Sequence, residues 1–600
     1  MNKLLAYYQK EMIFLKQHGK IFASRFPKIA RRLGIVEGES EDPHVSRLIE
    51  SFALLTSRIH QRLDEGIPEI IEALLSTLAP QFLRTLPSAC IVMMVPDPKK
   101  SGITGKYVIP AETALFTRQD LDLPCQFQTV YPANLLPLSI NRAALRFDSD
   151  ELSWQLQLHF QVWPGAALEN DSIRLYLQGP SNAVNTLYTL LCSEIKSLIL
   201  RQGDVSSILD PSALQPVGFE PGDALLTRDP RIAPVHILLL DYFWFPQKFS
   251  FIDIQLPLGF SVTGNGVFEL QAVFKRNSLT ECLEKLSSLV DENFFRLNCT
   301  PAINLFSLRA EPIALTDSTA EYQIVPDTRY QAQIEVWAVQ QVSVQRKEHN
   351  RIEHFPVLPL LESHIFSSVE TDSGLLWRTF HRDVVTSSSG IEQKSFIAFS
   401  EQKNRLPAVE PEIVTISMMC TNHNLVHQMQ YGQLGGDFDL DAPVAGLKIV
   451  ALTHPTRPIS PADKNMLRWR FLSQMSLNHQ LLEGEQGIQR LKEILALYNI
   501  GDSPDKMRLF TLIMDLNCQS VTTRLNRNDP HSLARGISVT LTFSHEALLE
   551  PEYYLTCCLL DRLLALYAPV NSFTRLTTCI EHEAQTRRVW PVRAGRLSWL

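Results

Sequence analysis

The sequence predicts an elongated, multi-domain α+β protein with a helical N-terminal region, a β-rich middle region and a mixed α/β C-terminal region. Three observations predict it. Apolar residues recur at helical spacing over the first 86 residues. From Ala89 onward, short β-branched runs alternate with Pro and Gly punctuation. Over residues 411–600, helix-period and strand-period segments are interleaved. A length of 600 residues corresponds to roughly three or four domains. With 45% hydrophobic and 20% charged residues, the composition is that of a folded protein and excludes a disordered one.

The first region, residues 1–88, carries two apolar stripes. Leu4, Tyr8, Met12, Leu15, Phe22 and Phe26 make one; Tyr7, Phe14 and Ile21 make a second, about 120° away around the helix. Two stripes predict burial on more than one side, either in the centre of a domain or against another chain. On the second reading, Tyr7, Phe14 and Ile21 are partner-interface candidates. A further helix starts at Asp42-Pro43, with Asp as N-cap and Pro at the first helical position. Its expected buried face is Val45, Leu48, Ile49, Phe52, Leu55, Ile59 and Leu63, and Gly66 and Pro68 end it. A shorter helix over 69–78 runs up to Pro80, and Pro87 closes the region.

The middle region, residues 89–345, reads as β-rich and divisible into two lobes. Expected strands are Ile91–Val95, Leu152–Phe160, Ile173–Leu177, Phe249–Leu256 and Gln333–Val339, with a helix near Asn182–Leu200. Within it, residues 242–251 hold six aromatics in ten positions, in a chain that is 9% aromatic. Aromatic density of this kind marks either a core strand beside a Pro turn or a recognition surface. Tyr242, Trp244 and Phe245 are the interface candidates on the latter reading. Residues 346–410 are more polar, include Ser387-Ser388-Ser389-Gly390, and read as a loop-rich insertion or linker.

In the C-terminal region, residues 411–600, Ser460-Pro461-Ala462-Asp463 signals a helix start. Leu467, Leu472, Met475 and Leu482 are expected core positions after it. Helix continues over Gly487–Tyr498. Gly536–Phe543 alternates apolar and polar residues as a half-buried strand does. A helix over Tyr553–Tyr567 and a strand over Ser572–Thr578 complete the region.

Charge and motifs exclude several function classes. The net charge is −8 and the pI about 6.1, with no Lys/Arg block of the kind that reads nucleic acid. The N-terminal apolar stretch is too short for a signal peptide, and no apolar run approaches a membrane span. The ten cysteines include no Cys-x-x-Cys pair, which fits buried thiols in a reducing compartment and a soluble, cytoplasmic protein. Gly102-Ile-Thr-Gly-Lys106 lacks the spacing and the Ser/Thr of a phosphate-binding loop, and reads as a turn. His423 and His427 stand four apart, but no Glu lies between them, so a zincin-type site is not nominated. No catalytic residue, cofactor site or metal site is expected.

Several segments in order resemble a known family. Asp42-Pro-His-Val-Ser-Arg-Leu-Ile-Glu-Ser-Phe-Ala53 and Leu63-Asp-Glu-Gly-Ile-Pro-Glu69 follow the aromatic opening at Tyr7-Tyr8. Gln126-Phe-Gln-Thr129, Leu136-Pro-Leu138, Leu214-Gln-Pro-Val-Gly-Phe219 and Asp241-Tyr-Phe-Trp-Phe-Pro-Gln-Lys-Phe249 come next. The most specific is Leu297-Asn-Cys-Thr-Pro-Ala-Ile-Asn-Leu-Phe306, with Ala310-Glu-Pro-Ile313 after it. Cys420-Thr-Asn422, Leu467-Arg-Trp-Arg470, Arg535-Gly536, Tyr567-Ala-Pro-Val-Asn-Ser-Phe573 and Trp590-Pro-Val-Arg593 follow. Together they resemble the TssF (VasA, ImpG) family of the type VI secretion system, collinearly over essentially the whole chain. Asp241 stands where that family commonly has Glu, residues 227–236 fit loosely, and 346–410 match poorly apart from Leu376-Trp-Arg378.

The resemblance implies a structural subunit of the baseplate wedge, similar to contractile-phage tail wedge proteins, and not an enzyme. It implies two copies of this chain joined to one TssG, with TssE and TssK, around a VgrG spike hub. Six such wedges would nucleate the contractile sheath, in the cytoplasm at the inner face of the bacterial inner membrane. The alternative from the residues alone is a large cytosolic, hydrolase-like enzyme whose site is assembled from distant positions.

Overall fold

The computed structural model describes residues 35–36, 39–40, 43–64, 73–459 and 487–594, apart from breaks of which 361–373 and 402–411 are the longest, with isolated positions before residue 35. Tyr7, Phe14 and Ile21, and the expected helix from Ser460 with Leu467, Leu472, Met475 and Leu482, lie outside the described residues. The chain divides into two compact units, residues 1–83 with 462–476, and residues 84–461 with 477–600.

The expected fold class needs correction. The chain is strand-dominated, with 34 strands among the described residues and a closed β-barrel, and its N-terminal region is not simply helical. Ile35–Val36 and Glu39–Ser40 pair as antiparallel strands ahead of the helix Pro43–Asp64. That helix starts and stops where Asp42-Pro43 and Gly66 place its ends. Its inward face differs from the expected one: Ala53 and Ser57 are fully buried, whereas Phe52, Leu54 and Leu55 are exposed.

In the larger unit, six strands close the barrel. Around it run Cys299–Ile303, Ala89–Pro96, Leu447–Ala451, Phe438–Leu440, Ala114–Thr117 and Gln126–Thr129, the last pairing back onto the first. Its interior is filled by Cys90, Val92, Met94, Leu115, Phe127 and Phe438. Phe127 and Phe438 meet edge to face with centroids 5.2 Å apart. Barrel closure removes the unpaired edges that an open sheet of this size would present.

Beside the barrel in sequence, a five-stranded antiparallel sheet runs in the order Val205–Leu209, Ile195–Gln202, Val267–Phe274, Ser153–Val162, Leu138–Asp148. A four-stranded sheet is built from Leu214–Pro216, Phe251–Gln255, Ser172–Leu177 and Phe295–Arg296. Alternation along Ser153–Val162 turns Leu156, Leu158 and Phe160 inward. Leu156, Leu158, Leu175, Ile252, Ile254 and Leu270 line a shared apolar interior between the two sheets. The helix Ser181–Ser193 ends earlier than expected, because Ile195–Gln202 is already a strand paired with Val267–Phe274.

Residues 346–410, expected as a linker, instead contribute to the largest sheet. Arg351–Pro359, Leu375–Thr386 and Gly390–Glu401 are long strands, joined to Phe306–Arg309, Glu335–Glu348, Ile413–Thr421 and Glu321–Gln323. Val342, Val344, Ile416, Met418, Trp377 and Ile397 form the core of this layer. The region reads as polar because its buried apolar residues are few, among them Val357, Leu375, Leu376, Trp377 and Ile397.

The C-terminal sheet pairs Ile513–Arg524 with Leu533–Phe543, and the latter runs parallel to Phe573–Ile580 through the crossover helix Tyr553–Leu566. Glu583–Val589 and Arg593–Ala594 complete it.

Candidate assembly surfaces and the joints behind them

The aromatic segment is neither a strand over its first half nor a surface. Pro234–Trp244 is an α-helix, Pro246–Phe249 a 3-10 turn, and the strand begins only at Phe251. Val235, Ile237–Leu240 and Tyr242–Trp244 are all buried, so the helix has no solvent-facing stripe of its own and is an interior helix, with Asp241 as a buried charge on it. Tyr242, Trp244 and Phe245 are exposed by only 1%, 6% and 1%. Tyr242 and Phe243 pack against Phe510, and the Tyr242 hydroxyl donates to Glu552 Oε2 at 3.0 Å. Their surface is consumed inside the chain, which corrects the reading of these three as partner contacts.

Two charges are buried at the ends of this segment. Lys248 Nζ donates to Asp241 Oδ2, and both side chains are essentially withdrawn from water. The amide of Leu225 also donates to Asp241 Oδ2, at 3.2 Å. Burial pushes the Asp241 carboxyl up, and the Lys248 ammonium opposes that shift. The carbonyl of Lys248 accepts from the Tyr131 hydroxyl at 3.2 Å. Gly218 passes close by with φ at +99°, and a Cβ there would meet that carbonyl and the Tyr131 hydroxyl at 3.0 Å. Only glycine suits both the conformation and the space.

A second joint ties the barrel to the largest sheet. Asn304 follows one barrel strand and Asn422 follows Ile413–Thr421. The Asn304 amide group donates to Asn422 Oδ1 at 2.8 Å and to the carbonyl of Gln126 at 2.7 Å, while its own Oδ1 accepts from Asn422 N at 2.8 Å. Gln126 N closes the circuit by donating to Asn422 Oδ1 at 3.0 Å. Asn298 does related work nearby. At φ +57° its Oδ1 accepts from Leu136 N at 3.2 Å, and its carbonyl accepts from Met94 N at 3.0 Å.

A third joint lies in the C-terminal sheet. A Cβ at Gly536 would stand 2.5 Å from the carbonyl oxygen of Phe573 and 2.6 Å from its ring. Arg593 pairs with the buried carboxylate of Asp561, and Trp590 Nε1 donates to Thr578 Oγ1 at 3.2 Å. Gly536, Phe573, Trp590 and Arg593 belong to the family-like segments; the first three make contacts within the C-terminal sheet, and Arg593 ties that sheet to the helix Tyr553–Leu566.

No catalytic constellation emerges from the residues the sequence singled out. His423 lies 4.0 Å from Glu335, whereas His427 accepts from Arg457 at 3.0 Å and packs on His454, so the two histidines serve different neighbours. Among the described residues, no group of three or more His, Cys, Asp and Glu is placed to hold a metal ion. Cys90, Cys299 and Cys557 are buried, and burial raises their thiol pKa values, which makes poor nucleophiles of them.

The family model described as Type VI secretion system, TssF, matches residues 1–597. The chain belongs to the TssF family. A curated relative, type VI secretion system component TssF1 of Pseudomonas aeruginosa, is 28% identical over 622 aligned positions, covering 99% of each chain. Among solved structures, a chain of a TssK-TssF-TssG baseplate subcomplex superposes with a TM-score of 0.70 at 23% identity. That match spans 92% of this chain and 99% of the other. A chain of a type VI secretion baseplate complex gives a TM-score of 0.58 at 22% identity over 98% and 99% of the two chains. Membership of the TssF family makes this chain a component of the type VI secretion system, and the hydrolase-like alternative has no support. Among the described residues of this TssF-family chain, no helix is long and apolar enough to cross a membrane.

Proposed function

We propose that this TssF-family chain works stoichiometrically, as a building block of the baseplate wedge, and not as a catalyst. Two copies would join one TssG and, with TssE and TssK, surround a VgrG hub to nucleate the sheath. The assembly would stand in the cytoplasm at the inner face of the inner membrane. The observation that carries the reading is the helix Pro43–Asp64, which turns small Ala53 and Ser57 inward and leaves Phe52 (57%), Leu54 (47%) and Leu55 (61%) in water. An amphipathic helix with its large apolar residues outward in the isolated chain needs a partner to cover them. Tyr7, Phe14 and Ile21, on the second stripe of the preceding helical sequence, are proposed to meet the same partner chains.

Co-expression with the TssG of the same genome, followed by size-exclusion chromatography with mass determination, tests this directly. The expected result is a complex of two copies to one TssG. Phe14→Glu and Phe52→Glu are expected to abolish that complex while the isolated chain keeps its melting temperature. A monodisperse chain that ignores TssG would overturn the proposal.

A further inference from the structure

Residues 306–421 are an insertion in the barrel. The barrel strand Cys299–Ile303 leads through Asn304 and Leu305 into Phe306–Arg309, and the chain returns through Ile413–Thr421 and Asn422 toward the barrel strand Phe438–Leu440. Entry and exit are neighbours, since Phe306 pairs with Cys420 in antiparallel register. The largest sheet is therefore carried on a two-strand neck, the arrangement by which one folded body is inserted into another.

The two bodies keep separate cores. Val92, Phe127 and Phe438 belong to the barrel core, Val344, Trp377 and Ile416 to the sheet core, and no residue is shared. Leu123, from the loop between two barrel strands, packs against the sheet core. The other described contacts between the two fall into two polar groups. The first lies on the neck itself, where Asn304 and Asn422 bond each other and both reach Gln126. Asn304 N also donates to the carbonyl of Ser88 at 2.8 Å.

The second group lies one strand away, at the start of Glu335–Glu348, which pairs with Ile413–Thr421. Glu335 Oε1 accepts from Thr85 Oγ1 at 2.7 Å, and Trp337 Nε1 donates to the carbonyl of Thr85 at 2.8 Å. The Arg84 guanidinium stands 4.6 Å from the centre of the Trp337 ring. No peptide link joins the sheet to the barrel at this second group, whereas the neck carries two.

Parting an apolar core exposes hydrocarbon to water, but parting hydrogen bonds exchanges them for bonds to water at a small net cost. The second group is therefore the one that yields first. A turn about the neck carries Glu335 and Trp337 away from Thr85 and leaves the strand pairing inside the sheet intact. Rigid bodies that move on a few connecting residues in this way are hinged domains.

We infer that the sheet of residues 306–421 is a lobe that pivots as one body about Asn304 and Asn422, with Thr85, Glu335 and Trp337 as the latch that holds it closed. The inference concerns this chain alone and stands whether or not the assembly reading does.

Double electron–electron resonance on the full chain tests it, with nitroxide-bearing unnatural amino acids at exposed Lys99 beside the barrel and exposed Glu353 on the lobe. The wild type should give one dominant distance and a minor second one. Thr85→Val with Trp337→Phe removes both latch hydrogen bonds and keeps a ring for Arg84. Losing two such bonds should raise the share of the second distance about tenfold, at an unchanged melting temperature. Equal shares in the wild type and the double variant would overturn the latch. A featureless distance distribution with an early melting step would show that the sheet unfolds instead of pivoting, and would overturn the lobe.

Discussion

Asp241 and Lys248 form an ion pair whose two side chains are 0% and 1% exposed, linking the end of the aromatic helix to the 3-10 turn that follows it. The pair joins the helix to the segment around Leu225 and to the Gly218 turn, because Leu225 N reaches the same carboxylate and Gly218 lies against the Lys248 carbonyl. Seven residues separate the partners, so the pair fixes the exit angle of the helix locally while its burial depends on the rest of the fold.

Removing one partner strands the other charge. Lys248→Met is expected to destabilise the larger unit by about 3–5 kcal/mol in urea denaturation at pH 8. The variant's penalty should shrink at pH 5. Without the ammonium, the folded-state pKa of Asp241 rises further above its unfolded value, so the folded state takes up a proton that the unfolded state does not hold. The double change Asp241→Leu with Lys248→Met should recover most of the loss, since apolar replacement of a whole buried pair is often neutral. Equal penalties in the single and double variants would show that the pair does not act as a unit.

The Asn304–Asn422 joint should behave as a coupled pair. Each single Ala variant leaves a buried amide without its partner, a loss of about 1–3 kcal/mol. A double-mutant cycle is expected to give a coupling energy of about 1–2 kcal/mol, because the two side chains bond each other as well as Gln126. Additive losses would mean that the barrel and the largest sheet are held together elsewhere.

Gly536→Ala should lower stability by about 1–3 kcal/mol, the usual cost of overpacking a close contact. The added methyl meets the backbone carbonyl of Phe573 as well as its ring, so trimming the ring with Phe573→Leu should relieve only part of the loss. Full rescue by Phe573→Leu would show that ring contact alone excludes the methyl.

These joints explain what was legible in the sequence. Local signals carried the helix Pro43–Asp64 through Asp42-Pro43 and Gly66, short β-branched and apolar runs carried the strands at 153–162 and 172–177, and alternation carried the strand at 533–543. The barrel was not legible, since its strands come from residues 89–129, 299–303 and 438–451 and no local pattern announces closure. Residues 242–251 were read as a core strand or a recognition surface, whereas Tyr242–Trp244 end the buried helix Pro234–Trp244; a short apolar run fits a buried strand and a buried helix equally well. Residues 375–401 read as linker because the hairpin Leu375–Thr386 with Gly390–Glu401 is polar over much of its length, its buried cluster Leu375, Leu376 and Trp377 lying at one end. Of the surface, the sequence nominated Phe52 and Leu55 as core, and both are exposed.

His236 supplies a pH dependence with a definite sign. It lies on the aromatic helix, half-buried, sharing a hydrogen bond between its Nδ1 and the hydroxyl of Tyr498. Burial lowers its pKa from 6.5 to about 4. Between those values the unfolded chain binds a proton that the folded chain refuses. The contribution is therefore fully present above pH 6.5 and is lost as pH falls toward 4. At about 1.4 kcal/mol per pKa unit, the loss reaches at most about 3 kcal/mol. Urea midpoints at pH 7.5 and 5 should differ more for the wild type than for His236→Gln, which keeps a polar group beside Tyr498 but cannot take up the proton. Identical pH slopes for the two proteins would assign acid sensitivity to other groups and leave His236 a packing residue.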